Sequence, residues 1–301
     1  MWTSSLYKRP NFWCQDDESL IGLAQQQYEA FNDRIVGDND DEKESESIPK
    51  LLHFIWLGSK LPAQYQRMIE SWKLHHPSWE IMLWDDVKVS SFNLVNADIF
   101  RRAPNYGMKS DILRYEILHC YGGVYVDIDY ACFRNIDDIV NGCVFFAGFS
   151  HTSVLELNNG ILGCVPHQPI MQLLIRDISS QTAMKTLIQD DGLAASIGTF
   201  LGEGLLDILP SLKSSLTAPN ETIAHTGPGL LTRIVSQYLL VGDSAERQQV
   251  VLFPVDVFHP VPNNVQLSLA TTDGEDYAND LVTRYSTNRT RAIHWWQCSW
   301  Q

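Results

Sequence analysis

Residues 109–130 read KSDILRYEILHCYGGVYVDIDY, and this stretch decides the fold. From Met108 onward, apolar side chains recur at helical spacing, with Met108, Ile112, Tyr115 and Leu118 on one face. Gly122 and Gly123 end the helix, because glycine enters the left-handed backbone without a Cβ penalty. VYVDIDY (124–130) reads as a strand, which puts Tyr125, Asp127 and Asp129 on one face and Val124, Val126, Ile128 and Tyr130 on the other. Upstream, KLLHFIWLG (50–58) predicts a buried strand, Pro62 opens a helix to about His75 that Pro77 stops, and WEIMLW (79–84) predicts another strand. Downstream, FFAGF (145–149) and NNGILGCV (158–165) extend the sheet. A helix runs over 168–178, residues 182–250 are mostly helical, and VVLFPVDVFHPV (250–261) is extended. Strands alternating with helices imply an α/β protein with a mainly parallel central sheet.

The chain has 301 residues, 45% of them hydrophobic and 19% charged, which fits a globular protein with a sizeable core. Lys and Arg number 22 against 36 Asp and Glu, a net charge of −14. That excess argues against a general nucleic-acid binder, which needs a basic face to displace counterions. Apolar runs all fall short of the ~20 residues a membrane span needs, and the N-terminus lacks the apolar core of a secretory signal. Six cysteines include no C-x-x-C pair, so reduced core thiols are expected rather than a zinc site or a disulfide scaffold. Residues 1–47 read as a helical extension, with Leu20, Leu23, Ala24, Gln27, Ala30 and Phe31 in helical register, followed by the acidic linker GDNDDEKESES. The remaining 48–301 read as one α/β domain.

Chemistry concentrates around Asp127 and Asp129. Two carboxylates at i and i+2 beside an apolar strand are costly to bury unpaired. At the carboxyl end of a parallel strand they lie where open α/β sheets bind ligands. Mg²⁺ and Mn²⁺ take such carboxylates together with phosphate oxygens, so the pair suits a metal that also grips a diphosphate. Asp111 and Arg114 stand three apart on the preceding helix and share a face. Trp56 ends the first strand with an aromatic face that can stack a base. His53 reads as a core or turn histidine, His75 and His76 as helix-end residues, and Asp85 and Asp86 as loop acids.

Three blocks, IPKLLHFIWLG (48–58), SWKLHHPSWEIMLWDD (71–86) and KSDILRYEILHCYGGVYVDIDY (109–130), resemble glycosyltransferase family 32, the sugar-binding-region family with a D-x-D motif that includes outer-chain mannosyltransferases. The same blocks resemble the glucosyltransferase domains of large clostridial toxins. The likeness is close over 48–138 and continues through NNGILGCVPHQP, HTGPGLL and the terminal HWWQCSW. It implies a GT-A (Rossmann-like) fold, a nucleotide-diphosphate-sugar donor bound with Mn²⁺ or Mg²⁺, and retention of anomeric configuration. It implies base stacking by Trp56, donor-sugar contacts by Asp111 and Arg114, and a ribose or base contact by Tyr125. It further implies that Asp127 reaches the ribose and touches the metal through water, that Asp129 binds the metal directly and that His294 completes the metal shell. By the same resemblance Ser299 and Trp300 are expected to contact the diphosphate, Asn159 to approach the reacting carbon, and Gly227 and Pro228 to shape the pocket.

The function expected is therefore a metal-dependent retaining glycosyltransferase that moves a hexose from a UDP- or GDP-linked donor to a glycan, lipid or protein. One alternative is a non-catalytic sugar-nucleotide-binding module. Another is a two-carboxylate glycoside hydrolase, which needs carboxyls ~5–10 Å apart and neither metal nor nucleotide. Without a membrane segment the expected protein is soluble and cytoplasmic, a delivered effector and a truncated secretory-pathway enzyme being the other readings.

Overall fold

The computed structural model describes residues 14, 16–36, 47–189, 221–241, 247, 249–265 and 280–297. Its strands are β1 (Leu51–Ile55), β2 (Glu80–Trp84), β3 (Gly123–Val126), β4 (Tyr130–Cys132), β5 (Phe145–Phe149), β6 (Leu157–Cys164), β7 (Val250–Phe253) and β8 (Ala292–His294). Its helices include α1 (Asp17–Val36), α2 (Ala63–His75), α3 (Asp86–Ser90), α4 (Ala97–Arg102), α5 (Tyr106–Tyr121), α6 (Asp137–Gly142), α7 (Pro169–Gln189), α8 (Glu221–His225), α9 (Pro228–Val241) and α10 (Val255–Phe258).

Six strands form the central sheet in the order β2-β1-β3-β6-β5-β7, and β4 pairs with β8 in a second, two-stranded sheet. β1 runs parallel to β2 and β3, and β5 parallel to β7. Only β6 is reversed, antiparallel to both β3 and β5. This is the α/β class with a mainly parallel sheet that the sequence leads one to expect.

Strand alternation builds the core on both faces. On β7, Val250 and Leu252 join one apolar cluster with α5, α7 and α9, while Val251 and Phe253 join the other with α2 and α6. α1 lies against β7: Leu20 and Ala24 enter the first cluster, Tyr28 and Phe31 the second, and the Phe31 and Phe253 rings meet edge to face at 5.4 Å. Ala30 of the expected apolar face is exposed, and Tyr28 is buried instead.

α5 begins where the Asn105 side chain accepts the Met108 N–H at 2.8 Å, and it ends at Gly122, φ +61°, followed by Gly123, φ +88°. It is buried all round, so Asp111, Arg114 and Glu116 lie inside as well as Ile112, Tyr115 and Leu118. Three local expectations are corrected. VYVDIDY is not one strand: β3 stops at Val126, residues 127–129 turn, and Tyr130 starts β4. The turn follows from pairing, since β3 pairs with β6 through Val126 whereas Tyr130 pairs with His294. The helix expected over 168–178 runs on to Gln189, and the extended segment at 250–261 breaks into β7 and the short α10 after Pro254. Within the expected helical stretch 182–250, residues 190–220 lie outside the described residues. Among the described residues no helix is long and apolar enough to cross a membrane. Cys14, Cys120, Cys132, Cys143 and Cys164 are free thiols, as expected, and Cys298 lies outside the described residues.

Candidate active site

The turn after β3 delivers Asp127 and Asp129 to the floor of a cavity of about 850 Å³. That volume lies within the ~300–1,000 Å³ typical of small-ligand sites. Its lining includes Trp56 just after β1, Arg114 and the acid pair beside the end of β3, and Glu156 just before β6, with β3 lying between β1 and β6 in the sheet.

Arg114 is the electrostatic hub. Its Nη2 lies 3.1 Å from Asp111 Oδ1 and 3.2 Å from Asp127 Oδ1, its Nη1 donates to the Asn159 carbonyl at 2.6 Å, and its Nε donates to the Ser110 carbonyl at 3.2 Å. The guanidinium also stands 4.4 Å from the Tyr125 ring centroid. Burial alone would lower the Arg114 pKa, but Asp127, Tyr125 and Asp111 outweigh it and hold the charge in place. Burial pushes the Asp111 carboxyl up to about 6 against the pull of Arg114 and of hydrogen bonds from Thr226 and Asn159. Asp127 is raised by burial and by the neighbouring Asp129, with Arg114 opposing. Tyr125 donates its hydroxyl to Asp127 Oδ1 at 2.5 Å.

Asp129 is the anchor of the second sheet. Its backbone carbonyl accepts the Trp295 N–H at 3.1 Å, and its Oδ2 accepts the Gln297 N–H at 2.9 Å. Its Oδ1 stands 3.2 Å from His294 Nε2. Burial would raise the Asp129 pKa, but His294 and the Gln297 amide more than offset it, so the carboxylate stays charged. The His294 ring is stacked on Tyr130, 4.3 Å away, with Trp296 tilted against it at 4.2 Å.

Asp127, Asp129 and His294 each offer a ligand atom within 4.8 Å of the others. Donors on one six-coordinate ion at ~2.1 Å stand at most ~4.2 Å apart, so a small closing movement seats a divalent cation among them. Two carboxylates and an imidazole suit Mn²⁺ in donor chemistry, and Mg²⁺ through the oxygens. Gly160 makes room for the first acid, since a Cβ there would lie 2.6 Å from Asp127 Oδ2.

The other candidate residues fall as follows. Trp56 lines the cavity, half-buried, donating Nε1 to Ser59 Oγ at 3.2 Å, with its ring 5.1 Å from Tyr65. Asn159 lines the cavity too, but its side chain reaches behind the ion pairs, donating to Asp111 Oδ1 at 2.8 Å and to the Tyr115 hydroxyl at 3.2 Å. Pro228 lines the wall, while Gly227 sits behind Asp111, with its Cβ position 3.3 Å from Asp111 Oδ2. Ser299 and Trp300 lie outside the described residues. Asp85 caps α3, and Asp86 accepts the Gly58 N–H at 2.7 Å, so it holds the loop that carries Trp56. His53 is structural: Trp84 donates to its Nδ1 at 3.2 Å, so the proton sits on Nε2, which donates to the Gly122 carbonyl at 3.0 Å.

Sequence reasoning misses Trp296, Asn158 and Glu156. Trp296 has a φ of +51°, uncommon for a bulky residue, and lines the cavity beside His294. Burial pushes the Glu156 carboxyl up to about 7, with the Ser150 hydroxyl opposing. The fold-independent signal for Glu156 is slight, one acid ahead of a strand.

Residues 62–145 match the family model described as the glycosyltransferase sugar-binding region containing DXD motif, a span that includes Asp111, Arg114, Tyr125, Asp127 and Asp129. The inositol phosphoceramide mannosyltransferase 1 of Schizosaccharomyces pombe is 27% identical over 186 residues, 60% of this chain and 56% of that protein. The subversion of eukaryotic traffic protein A of Legionella pneumophila is 23% identical over 232 residues, 67% of this chain and 34% of that protein. The chain thus spans about half or less of the length of these relatives. Similar solved structures include the PaToxG glycosyltransferase, at TM-score 0.45 and 14% identity over 74% of this chain and 80% of that one. The catalytic domain of alpha-toxin from Clostridium novyi is similar at TM-score 0.46 and 9% identity over 92% of this chain and 83% of that one. The family that the sequence blocks resemble is thus the one whose model matches residues 62–145, the stretch that includes the D-x-D acids.

Proposed function

We propose that the chain is a metal-dependent retaining glycosyltransferase that moves a hexose from a nucleotide-diphosphate sugar to a hydroxylated glycan, lipid or protein acceptor. The observation that supports this is the convergence of Asp127, Asp129 and His294 in the same cavity as Trp56. Among the described lining residues, Asp111, Asp127, Asp129 and Glu156 face the cations Arg114 and Lys109, and Arg114 is already engaged by two acids. A diphosphate entering such a site is repelled unless a cation intervenes.

In this reading Trp56 stacks the base and Asp86 steadies its loop. Asp127, Asp129 and His294 hold Mn²⁺, with Mg²⁺ as the substitute. Ser299 and Trp300 keep their role on the diphosphate as part of the proposal. The bound ion supplies Lewis-acid stabilisation of charge developing on the leaving diphosphate. Arg114 fixes Asp111 and Asp127 in one plane of contacts, and Asn159 braces Arg114 and Asp111 from behind, so the donor sugar meets a rigid wall. The bond from the anomeric carbon to the phosphate oxygen breaks, the bond to the acceptor oxygen forms on the same face, and the acceptor proton passes to the departing phosphate. The division into a 1–47 extension, of which α1 lies against β7, and a 48–301 catalytic domain belongs to this proposal, as does a soluble, cytoplasmic location.

The names of the relatives make a mannosyl group the first to test. Thermal shift and calorimetry with UDP, GDP, GDP-mannose, UDP-glucose, UDP-galactose and UDP-N-acetylglucosamine, each with Mn²⁺, with Mg²⁺ and with EDTA, test the reading. Tight binding of one nucleotide only with metal, followed by metal-dependent release of its diphosphate, supports it. Binding of none of them, or sugar cleavage indifferent to EDTA and nucleotide, sinks it in favour of a binding module or a hydrolase.

A further inference from the structure

Four carboxyl groups line the cavity, and three of them have partners of opposite charge or a histidine. Asp111 and Asp127 share Arg114, and Asp129 faces His294. Glu156 has no cation within ion-pair distance among the described residues, and it stands outside the group of ligands that could share a metal. Its backbone is fixed, because its carbonyl accepts the Ser150 N–H at 2.7 Å. Strand alternation therefore extends one residue ahead of β6. Leu157 turns into the core, and residues 156, 158 and 160 share the opposite face.

That face belongs to the acid pair. Asn158 Oδ1 accepts the Tyr130 hydroxyl at 3.1 Å, and the Cβ position of Gly160 touches Asp127, Asn158 and Tyr130. Trp56 follows β1, which lies on the far side of β3 from β6, and Lys109 stands over the Phe100 and Tyr106 rings, with Tyr106 against Gly58. A carboxyl without a cation repels phosphate and is poorly placed for a nucleotide. Beside Thr152, Asn158 and Asn263 it is well suited to neutral hydroxyl groups, which it can bind by accepting or, when protonated, by donating.

We propose that Glu156 is an acceptor-binding residue, whose carboxyl hydrogen-bonds the hydroxyl groups of a polyhydroxylated acceptor, a sugar or a cyclitol, entering at the end of the cavity away from Trp56. This rests on the glycosyltransferase reading and deepens it. Asn158 and Asn263 complete the polar wall, and Trp296 supplies an apolar surface for a ring face.

The test compares the full chain with its Glu156→Gln and Glu156→Ala variants, using the donor that the nucleotide-sugar panel selects. Diphosphate release is measured with water as the only acceptor and again with methyl α-D-mannopyranoside or myo-inositol. The ratio of polyol-dependent to water-dependent release should fall about tenfold, the worth of one lost hydrogen bond to a charged or shared-proton group. The loss should lie in the acceptor KM, with nucleoside diphosphate affinity preserved by calorimetry. An unchanged ratio in both folded variants overturns the proposal. So does a wild-type protein that hydrolyses its donor yet shows no polyol-dependent release. Absence of any donor turnover together with absence of nucleotide binding indicts the glycosyltransferase reading instead.

Discussion

Gly160 is packed against the carboxylate of Asp127, so closely that a Cβ at this position would lie 2.6 Å from Oδ2. The Asp127 N–H meanwhile donates to the Gly160 carbonyl at 2.7 Å, so strand β6 supports the first acid by both backbone and absence of side chain. Gly160→Ala should therefore push Asp127 off its position while the sheet survives. We expect Mn²⁺ affinity to drop about tenfold, as for loss of a residue that orients a metal ligand. Gly163→Ala is the control: its Cβ would lie 2.1 Å from the Phe146 ring, in the core away from the acids. That variant should lose about 1–3 kcal/mol of stability through overpacking. Calorimetric Mn²⁺ titration beside thermal melting separates the two, and wild-type metal affinity in folded Gly160→Ala would refute the packing argument.

Asp129 has two separable duties. Its charge faces His294, and its oxygens hold the Trp295 and Gln297 amides. Asp129→Asn keeps an acceptor for Gln297 but loses the charge, so metal-dependent turnover should fall about 100-fold or more with little change in melting temperature. Asp129→Ala loses both the charge and the side-chain acceptor for Gln297, so hydrogen exchange at Gln297 should rise as well, while Trp295, held by the Asp129 backbone carbonyl, should stay protected. Near-normal turnover of Asp129→Asn in Mn²⁺ would remove this residue from the metal site.

Trp56 sits half-buried on a loop that Asp86 fastens through Gly58. Trp56→Ala should weaken nucleoside diphosphate binding by ~1–3 kcal/mol, the range for removal of a base-stacking aromatic. Asp86→Ala should produce a smaller loss by loosening the same loop. Titration of both folded variants with UDP and GDP reads the effect, and an affinity equal to wild type in Trp56→Ala would exclude stacking.

His53 gives the fold a pH dependence that is independent of the site. Burial lowers its pKa from 6.5 to about 4, with the Gly122 hydrogen bond opposing. The unfolded chain binds a proton below pH ~6.5 that the folded chain refuses until about pH 4, so folded stability from this residue is full above 6.5 and is lost as pH falls toward 4. The contribution is on the order of 3 kcal/mol. Imidazole NMR should show His53 still neutral at pH 5.5, and an ordinary titration near 6.5 would contradict the tautomer assigned from Trp84.

Much of the fold is legible in local pattern. The period of α5, the glycine pair that ends it, and the apolar runs at 50–58 and 79–84 each follow from short-range physics, namely which side chains share a helix face or a strand face. Asp111 and Arg114 meet because three residues on a helix bring them together, and that ion pair is as the spacing implies. The D-x-D acids were visible as chemistry, yet their convergence comes from a turn after Val126 and not from strand alternation. What only the tertiary structure decided is everything that depends on long-range pairing. β8 lies beside β4, with Tyr130 opposite His294, and that register alone carries the histidine to Asp129. The reversed β6, with Glu156 just ahead of it, brings Asn158 and Asn159 to the cavity, and burial decides that Arg114 is spent on two acids and two carbonyls instead of pointing free. Such contacts join segments distant along the chain, so they are set by burial and by hydrogen-bond pairing between strands, which no local propensity encodes.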